Sequence, residues 1–298
     1  MGLELYNHSQ AAREVFQEAD DSLGIKLSKL IFRGPDSRLR NTANSQPAIM
    51  TVSIAAWQAW KEQAGGDEVL PSMVAGHSLG EYTSMVVAGV TSFSDAVQLV
   101  RKRGQLMQQA SVKRPGGMAA IMGLDELAFA GICAETGVEV ANINGEDQIV
   151  ISGDKIAVAW AMDLASAQGA KKTISLPVSG AFHSSLMLKA KLGLESAVNS
   201  LEFSDPSVPI IANSDCTHLT KGDQVKEELV SGLCQCVQWK DSVKSMVNAG
   251  VSQFVEFGPA GVLSGLIRRI DRGVQATAIT DPNSISKLAE RKENSSGS

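Results

Sequence analysis

The sequence predicts a mixed α/β fold in which a small α+β subdomain is inserted into a larger α/β body. Three observations point there. Helical periodicity and short apolar, strand-like runs alternate along most of the 298 residues. Residues 114–181 keep a rhythm of their own, in the strand-helix-strand-strand-helix-strand order of ferredoxin-like units. VAGHSLGEY, residues 74–82, reads as a strand delivered directly into a helix through a G-x-S-x-G turn. The expected organisation is a body formed by residues 1–113 and 182–298, with 114–181 as the inserted unit.

In chain order, a helix is expected from about Ser9 to Leu23, then an irregular stretch through FRGPDSRLRNTANS. A long apolar-periodic helix follows from Pro47, which suits a first turn, and ends at Gly65-Gly66. SMVAG is a short strand and LGEYTSMVVA a helix stopped at Gly89. The next helix starts at Ser92, with Asp95 three residues on as in a capping box. GGMAAIMG is a strand, and DELAFAGICAETG a helix stopped by Gly137. VEVANI and DQIVISG pair as a hairpin through Asn144-Gly145. KIAVAWAMDLASAQG is an amphipathic helix and KKTISLPV a closing strand. Beyond Pro177 the body resumes with a helix, the strand VPIIANS, helices near 223–234 and 240–249, and the strand QFVEFG. The tail RKENSSGS is polar and expected to be disordered.

A net charge of −5 gives nucleic acid no electrostatic footprint. No apolar run approaches the length needed to cross a bilayer, and MGLELYNHSQ lacks the pattern of a signal peptide. Cys133, Cys216, Cys234 and Cys236 read as reduced structural thiols, since the C-x-C pair has no neighbours at metal-ligand spacing. The chain reads as cytoplasmic, with a monomer expected and no metal or membrane partner.

Chemistry is concentrated at Ser78. A strand that delivers a serine into a helix start places it beside free N–H groups, which stabilise developing negative charge. Gly76 and Gly80 would remove Cβ atoms where strand and helix crowd. A G-x-S-x-G match also arises by chance in small-residue loops, so a base is needed. Of the four histidines, His77 adjoins the serine and reads as packing, His8 lies in a frayed terminus, and His218 sits in an exposed loop. His183, between a strand and a helix, remains by elimination. In DAVQLVRKRGQLMQQA the apolar stripe Ala96, Val100, Met107 and Ala110 also carries Arg103. A guanidinium there is either half of a structural ion pair or a fork for a substrate carboxylate.

Ser78, Arg103 and His183, with SQPAIMT, GHSLGEYTSMVVAGV, RGQLMQQA, GGMAAIMGL, ANINGEDQIVISG, GAFHSSLM, VQW and FGPAGVLSGLIRR, resemble the malonyl-CoA:acyl-carrier-protein transacylase family over nearly the whole chain. The resemblance implies an α/β-hydrolase-like body and ping-pong transfer of malonyl from malonyl-CoA to the phosphopantetheine thiol of acyl carrier protein. No cofactor is called for, because malonyl-CoA enters as a substrate. It implies Ser78 as nucleophile, His183 as base, the Leu79 N–H as half of an oxyanion hole, and Arg103 on the malonyl carboxylate. It further implies that the main-chain carbonyl of Gln238 orients His183, and that Gln46 and Asn142 lie near the pocket. Phe182 before the histidine goes with malonyl; an extra methyl on the substrate is worth only about 1–3 kcal/mol, so preference is expected, not exclusion. The family also begins with an apolar strand and a G-Q-G-S-Q loop. MGLELYNHSQAAREVFQEA resembles the segment after that loop. Met1 is therefore expected to lie downstream of the natural start, with the family strand missing and the chain unstable or weakly active.

Two other readings compete. A serine hydrolase of the α/β-hydrolase class would show an acid after the serine and a late histidine, and would leave Arg103 unexplained. A catalytically impaired homologue acting as a docking partner is the other. Arg268, Arg269 and Arg272 are candidate docking charges for an acidic carrier protein, or simply a solvated basic face.

Overall fold

The computed structural model describes residues 1–64 and 70–288 and has a mixed α/β architecture. The Gly65-Gly66 helix end and the polar tail lie outside the described residues. The chain opens with three helices, α1 (Leu3–His8), α2 (Gln10–Leu23) and α3 (Leu27–Arg33), followed by one turn of α4 (Asp36–Leu39). The stretch read as irregular thus contains helix: Leu27, Leu30 and Ile31 are buried at helical spacing, and that packing overrides the Gly-Pro punctuation after it.

Helix α5 (Thr42–Ala64) is the centre of the body, and between Gln46 and Trp60 all its residues but Ile49 and Gln58 are buried, as in a helix enclosed by others. It begins five residues earlier than Pro47 predicts. Proline inside a helix leaves the carbonyl four residues back without its donor. Here that carbonyl, Ala43 O, accepts instead from Arg101 Nη1 at 2.9 Å. Strand β1 (Val74–Ala75), α6 (Gly80–Val87) and α7 (Phe93–Lys113) follow. The Ser92 hydroxyl caps α7 by accepting from Asp95 N at 3.0 Å. Gly104 lets α7 lie against the start of α5, because a Cβ there would stand 2.5 Å from Thr42 O.

Next come β2 (Gly116–Met122), α8 (Glu126–Thr136), β3 (Glu139–Gly145), β4 (Gln148–Asp154), α9 (Lys155–Ala167) and β5 (Lys172–Ser175). The four strands form one sheet in the order β3-β4-β2-β5 with antiparallel neighbours. The hairpin turn falls on Glu146-Asp147, two residues beyond the Asn-Gly pair, because Gly145 still pairs with Gln148. Bulges within β3 absorb the shift and free Asn144 for another contact. Alternation along the strands sends Ala119, Ile121, Ile149 and Ile151 towards α8 and α9. Met118, Ala120, Ala141 and Val150 face the other way, where Phe182 packs on them.

The chain then makes a 3₁₀ turn (Ser185–Met187), α10 (Leu188–Asn199), β6 (Ile210–Ile211), β7 (His218–Leu219), α11 (Gly222–Ser231) and α12 (Trp239–Asn248). It closes with β8 (Gln253–Phe257), α13 (Val262–Ile270) and β9 (Gln275–Ile279). β1 and β6 are parallel, so their C-terminal ends open on the same edge. β8 and β9 form a separate parallel pair. Among the described residues no helix is long and apolar enough to cross a membrane.

Candidate active site

β1 ends at Ala75 and α6 begins at Gly80, which leaves four residues to reverse the chain. Gly76 makes the reversal possible: a Cβ there would lie 2.0 Å from the carbonyl carbon of Gly80. The Gly80 Cβ position itself is open, so only one of the two motif glycines is required sterically. Ser78, at the tip, has φ 52, and His183 has φ 55. They are two of only three non-glycine residues in this left-handed region among the described residues, and such strain concentrates at functional sites.

The two side chains meet. Ser78 Oγ lies 2.7 Å from His183 Nε2. On the far side of the ring, Nδ1 is 3.0 Å from both Gly232 O and Gln235 O. Two carbonyls can only accept, so Nδ1 carries the proton and Nε2 presents its lone pair to the serine hydroxyl. Burial, and then the Arg103 and His77 charges, lower the His183 pKa to about 3. The imidazole is therefore neutral at ordinary pH. Gln238 does not orient it. Its N–H donates to Asn213 O at 2.7 Å, and its carbonyl accepts from Ser242 N at the start of α12. That helix turns the Gln238 carbonyl along its own axis, and the histidine is left to the preceding loop.

Arg103 is 4 % exposed. Nη1 donates to Gln46 Oε1 at 2.5 Å and Nη2 to Ser78 Oγ at 3.0 Å, while the Tyr82 ring centroid lies 5.2 Å from the guanidinium carbon. Nε has no partner, and no carboxylate stands within ion-pair distance among the described residues. The ion-pair alternative thus lacks its anion. Gln46, buried, also donates from Nε2 to Thr42 Oγ1 at 2.8 Å, which fixes the face it turns to Arg103.

Leu79 is the N-cap of α6, and its N–H has no acceptor among the described residues. Phe182 is half-buried beside His183. Asn142, on β3, is buried with Nδ2 unpartnered. Its strand is tied to the segment after Gln235 by Val237 N to Ala141 O and Ile143 N to Val237 O, both 2.9 Å. His77 points away from the serine, with Nε2 2.9 Å from Asn144 Oδ1 and its ring 5.7 Å from that of Trp239. His8 and His218 are exposed and take no part. No cluster of metal-ligating side chains occurs among the described residues.

A model of the acyl transferase domain matches residues 1–290. The chain belongs to the acyl transferase family. A malonyl CoA-acyl carrier protein transacylase of Bacillus subtilis is 42% identical over 290 residues, covering 96% of this chain and 90% of that protein. The crystal structure of an acyl carrier protein S-malonyltransferase from Vibrio cholerae superposes with a TM-score of 0.91 at 38% identity, covering 97% of this acyl transferase and 94% of that chain. A malonyl-transacylase solved in complex with its type II polyketide-synthase acyl-carrier protein gives 0.93 at 37% identity, with 98% and 94% covered.

Sequence reading missed Asn213, Gly232 and Gln235. The last two act through main-chain carbonyls, which carry no residue-type signal. Asn213 had one: it follows β6 as Ser78 follows β1, and sites in α/β folds gather beyond the C-terminal ends of parallel strands.

Proposed function

We propose that this acyl transferase moves a malonyl group from malonyl-CoA to the phosphopantetheine thiol of acyl carrier protein through Ser78. The observation that carries the reading is Arg103, a buried cation with no carboxylate partner among the described residues, hydrogen-bonded to the very oxygen that would attack. A buried charge of this kind calls for an anion, and a guanidinium matches a carboxylate bidentately. The relatives' names supply the same substrate pair.

In this mechanism Ser78 Oγ attacks the thioester carbonyl carbon and gives its proton to His183 Nε2. The carbonyl oxygen becomes an oxyanion beside the Leu79 N–H. Collapse breaks the carbon–sulfur bond, and the leaving sulfur takes the proton from His183. The carrier thiol then gives its proton to His183 and attacks the malonyl ester; collapse breaks the carbon–oxygen bond, and the departing Ser78 Oγ takes the proton back from His183. Gln46 holds Arg103 in place, and Asn142 offers a free amide donor. Phe182 narrows the space beside the malonyl α-carbon. The Arg103 charge is the second cause that depresses His183. A malonyl carboxylate that neutralises it makes the imidazole a better base, which acetyl-CoA cannot do. The body is read as α/β-hydrolase-like around β1, β6 and β7, with residues 114–181 as a ferredoxin-like unit; the order β3-β4-β2-β5 supports the latter.

The test is incubation with malonyl-CoA labelled in the malonyl group. Acid-stable label is expected on the protein and absent from Ser78→Ala; label that persists in that variant sinks the nucleophile. Arg103→Ala is expected to lower malonyl transfer by about 10²–10³-fold, the scale of breaking a buried charge pair, with a far smaller loss for acetyl. Equal losses for both would remove Arg103 from carboxylate recognition.

A further inference from the structure

We propose that Asn213, braced by Glu81, is the positioning residue that locks the Ser78 elbow in its attacking conformation. The inference rests on Ser78 being the acyl-carrying nucleophile. A left-handed backbone is strained for a residue with a Cβ and persists only where its surroundings over-determine it. The Asn213 side chain supplies that constraint. Its Oδ1 accepts from Ser78 N at 2.6 Å, and its Nδ2 donates to Gly76 O at 2.7 Å. One amide thus ties the residues on either side of His77 together across the reversal. Asn213 is itself fixed: its N–H donates to Glu81 Oε1 at 2.8 Å and its carbonyl accepts from Gln238 N at 2.7 Å. Glu81 lies on the first turn of α6, and its own N–H donates to Ser78 O at 3.3 Å. Ser78, Glu81 and Asn213 close a ring.

Glu81 is 5 % exposed and reaches into the interior where Glu228 of α11 also ends, lined by Ile210, Leu219, Val225 and Leu229. Two carboxylates in one apolar enclosure do not both ionise. Glu228 accepts from two donors, Ser214 N at 2.9 Å and Ser214 Oγ at 2.5 Å. Glu81 has the single Asn213 donor. Burial and then Glu228 hold its pKa well above the usual carboxylate value, against the Asn213 N–H and the Arg103 guanidinium; Tyr82 is the other titratable neighbour. A neutral Glu81 has the same shape and the same acceptor as glutamine, which makes the brace testable without changing charge.

The experiment follows single-turnover acylation of the full chain by malonyl-CoA. Asn213→Ala is expected to slow acylation about 10²-fold, the scale of a displaced reacting group, with the malonyl-CoA concentration dependence within about threefold. Glu81→Ala should behave likewise, and Glu81→Gln should recover acylation to within about threefold of the parent. Should Asn213→Ala fail to fold, Asn213→Asp keeps the acceptor for Ser78 N but turns an ionised oxygen on Gly76 O. Its acylation should rise as pH falls and the carboxyl regains a proton to donate. Parent-like acylation in Asn213→Ala, a loss confined to the concentration dependence, or a Glu81→Gln as slow as Glu81→Ala would each overturn the proposal. If the parent chain takes no label, the reading of Ser78 fails first and the proposal with it.

Discussion

Ser78 and His183 share an unfavourable backbone and a hydrogen bond, yet the molecule holds them by opposite means. The Ser78 elbow is held by side chains: Gly76 with none, Asn213 bridging the turn, Glu81 bracing Asn213. His183 is held by main chain, through the carbonyls of Gly232 and Gln235. A side-chain clamp is specified residue by residue and can be removed by one substitution. A carbonyl clamp depends only on the course of the loop and survives most substitutions within it. The nucleophile is therefore expected to be fragile to its neighbours' identity, and the base robust.

The largest effect expected on that contrast is at Gly76. Gly76→Ala drives a Cβ to 2.0 Å from the Gly80 carbonyl carbon, and both are backbone-fixed. A loss of about 3 kcal/mol is expected, the upper range of overpacking, together with loss of acylation. Gly80→Ala meets nothing within 4 Å. Replacing a glycine on the first turn of a helix should leave stability equal or raise it by about 0.5–1 kcal/mol. Thermal unfolding of the two variants decides the matter. Equal destabilisation would show that the elbow is crowded from both sides, as the sequence alone suggests.

That pair also marks how far sequence carried. Patterns that burial imposes were legible: the stripe of α7 put Arg103 inside because every third or fourth residue there is apolar, and the strand-to-helix turn singled out Ser78. Boundaries were less so. Pro47 reads as a helix start, since local rules cannot foresee that Arg101, far along the chain, takes up the freed Ala43 carbonyl. Asn144-Gly145 has hairpin chemistry, but bulges in β3 move the turn to Glu146-Asp147 and hand Asn144 to His77. His183 could be reached by elimination, whereas its supports could not, because a carbonyl belongs to every residue alike. The VQW motif points to Gln238, whose N–H serves Asn213 instead.

A smaller effect concerns pH. The His183 pKa is lowered from 6.5 to about 3, so the folded ring stays neutral where the unfolded one takes up a proton. The sign follows: stability from this group is full above 6.5 and is lost as pH falls towards 3. Activity behaves differently, because the base form persists through that window. The kcat/KM for malonyl-CoA, which reports the free enzyme, should show no histidine inflection between about pH 5 and 8. A clear fall centred near the ordinary histidine value would mean that burial and the Arg103 charge do not control the ring, since the Gly232 and Gln235 carbonyls favour its protonated form.

The smallest effect is the most pointed test of the main-chain clamp. Gln235→Ala removes a side chain but leaves the carbonyl that accepts from His183 Nδ1. Acylation should stay within about threefold of the parent, as expected when a catalytic hydrogen bond and its geometry are kept. Gln238→Ala likewise keeps the N–H that donates to Asn213 O, so it too should change little. Both would contrast with the roughly 10²-fold loss expected of Asn213→Ala, where the clamp is the side chain itself. If Gln235→Ala were as slow as Asn213→Ala, the glutamine side chain would be fixing the path of the loop. The difference between the two halves of the site would then vanish, because His183 as well as Ser78 would depend on the identity of a neighbour.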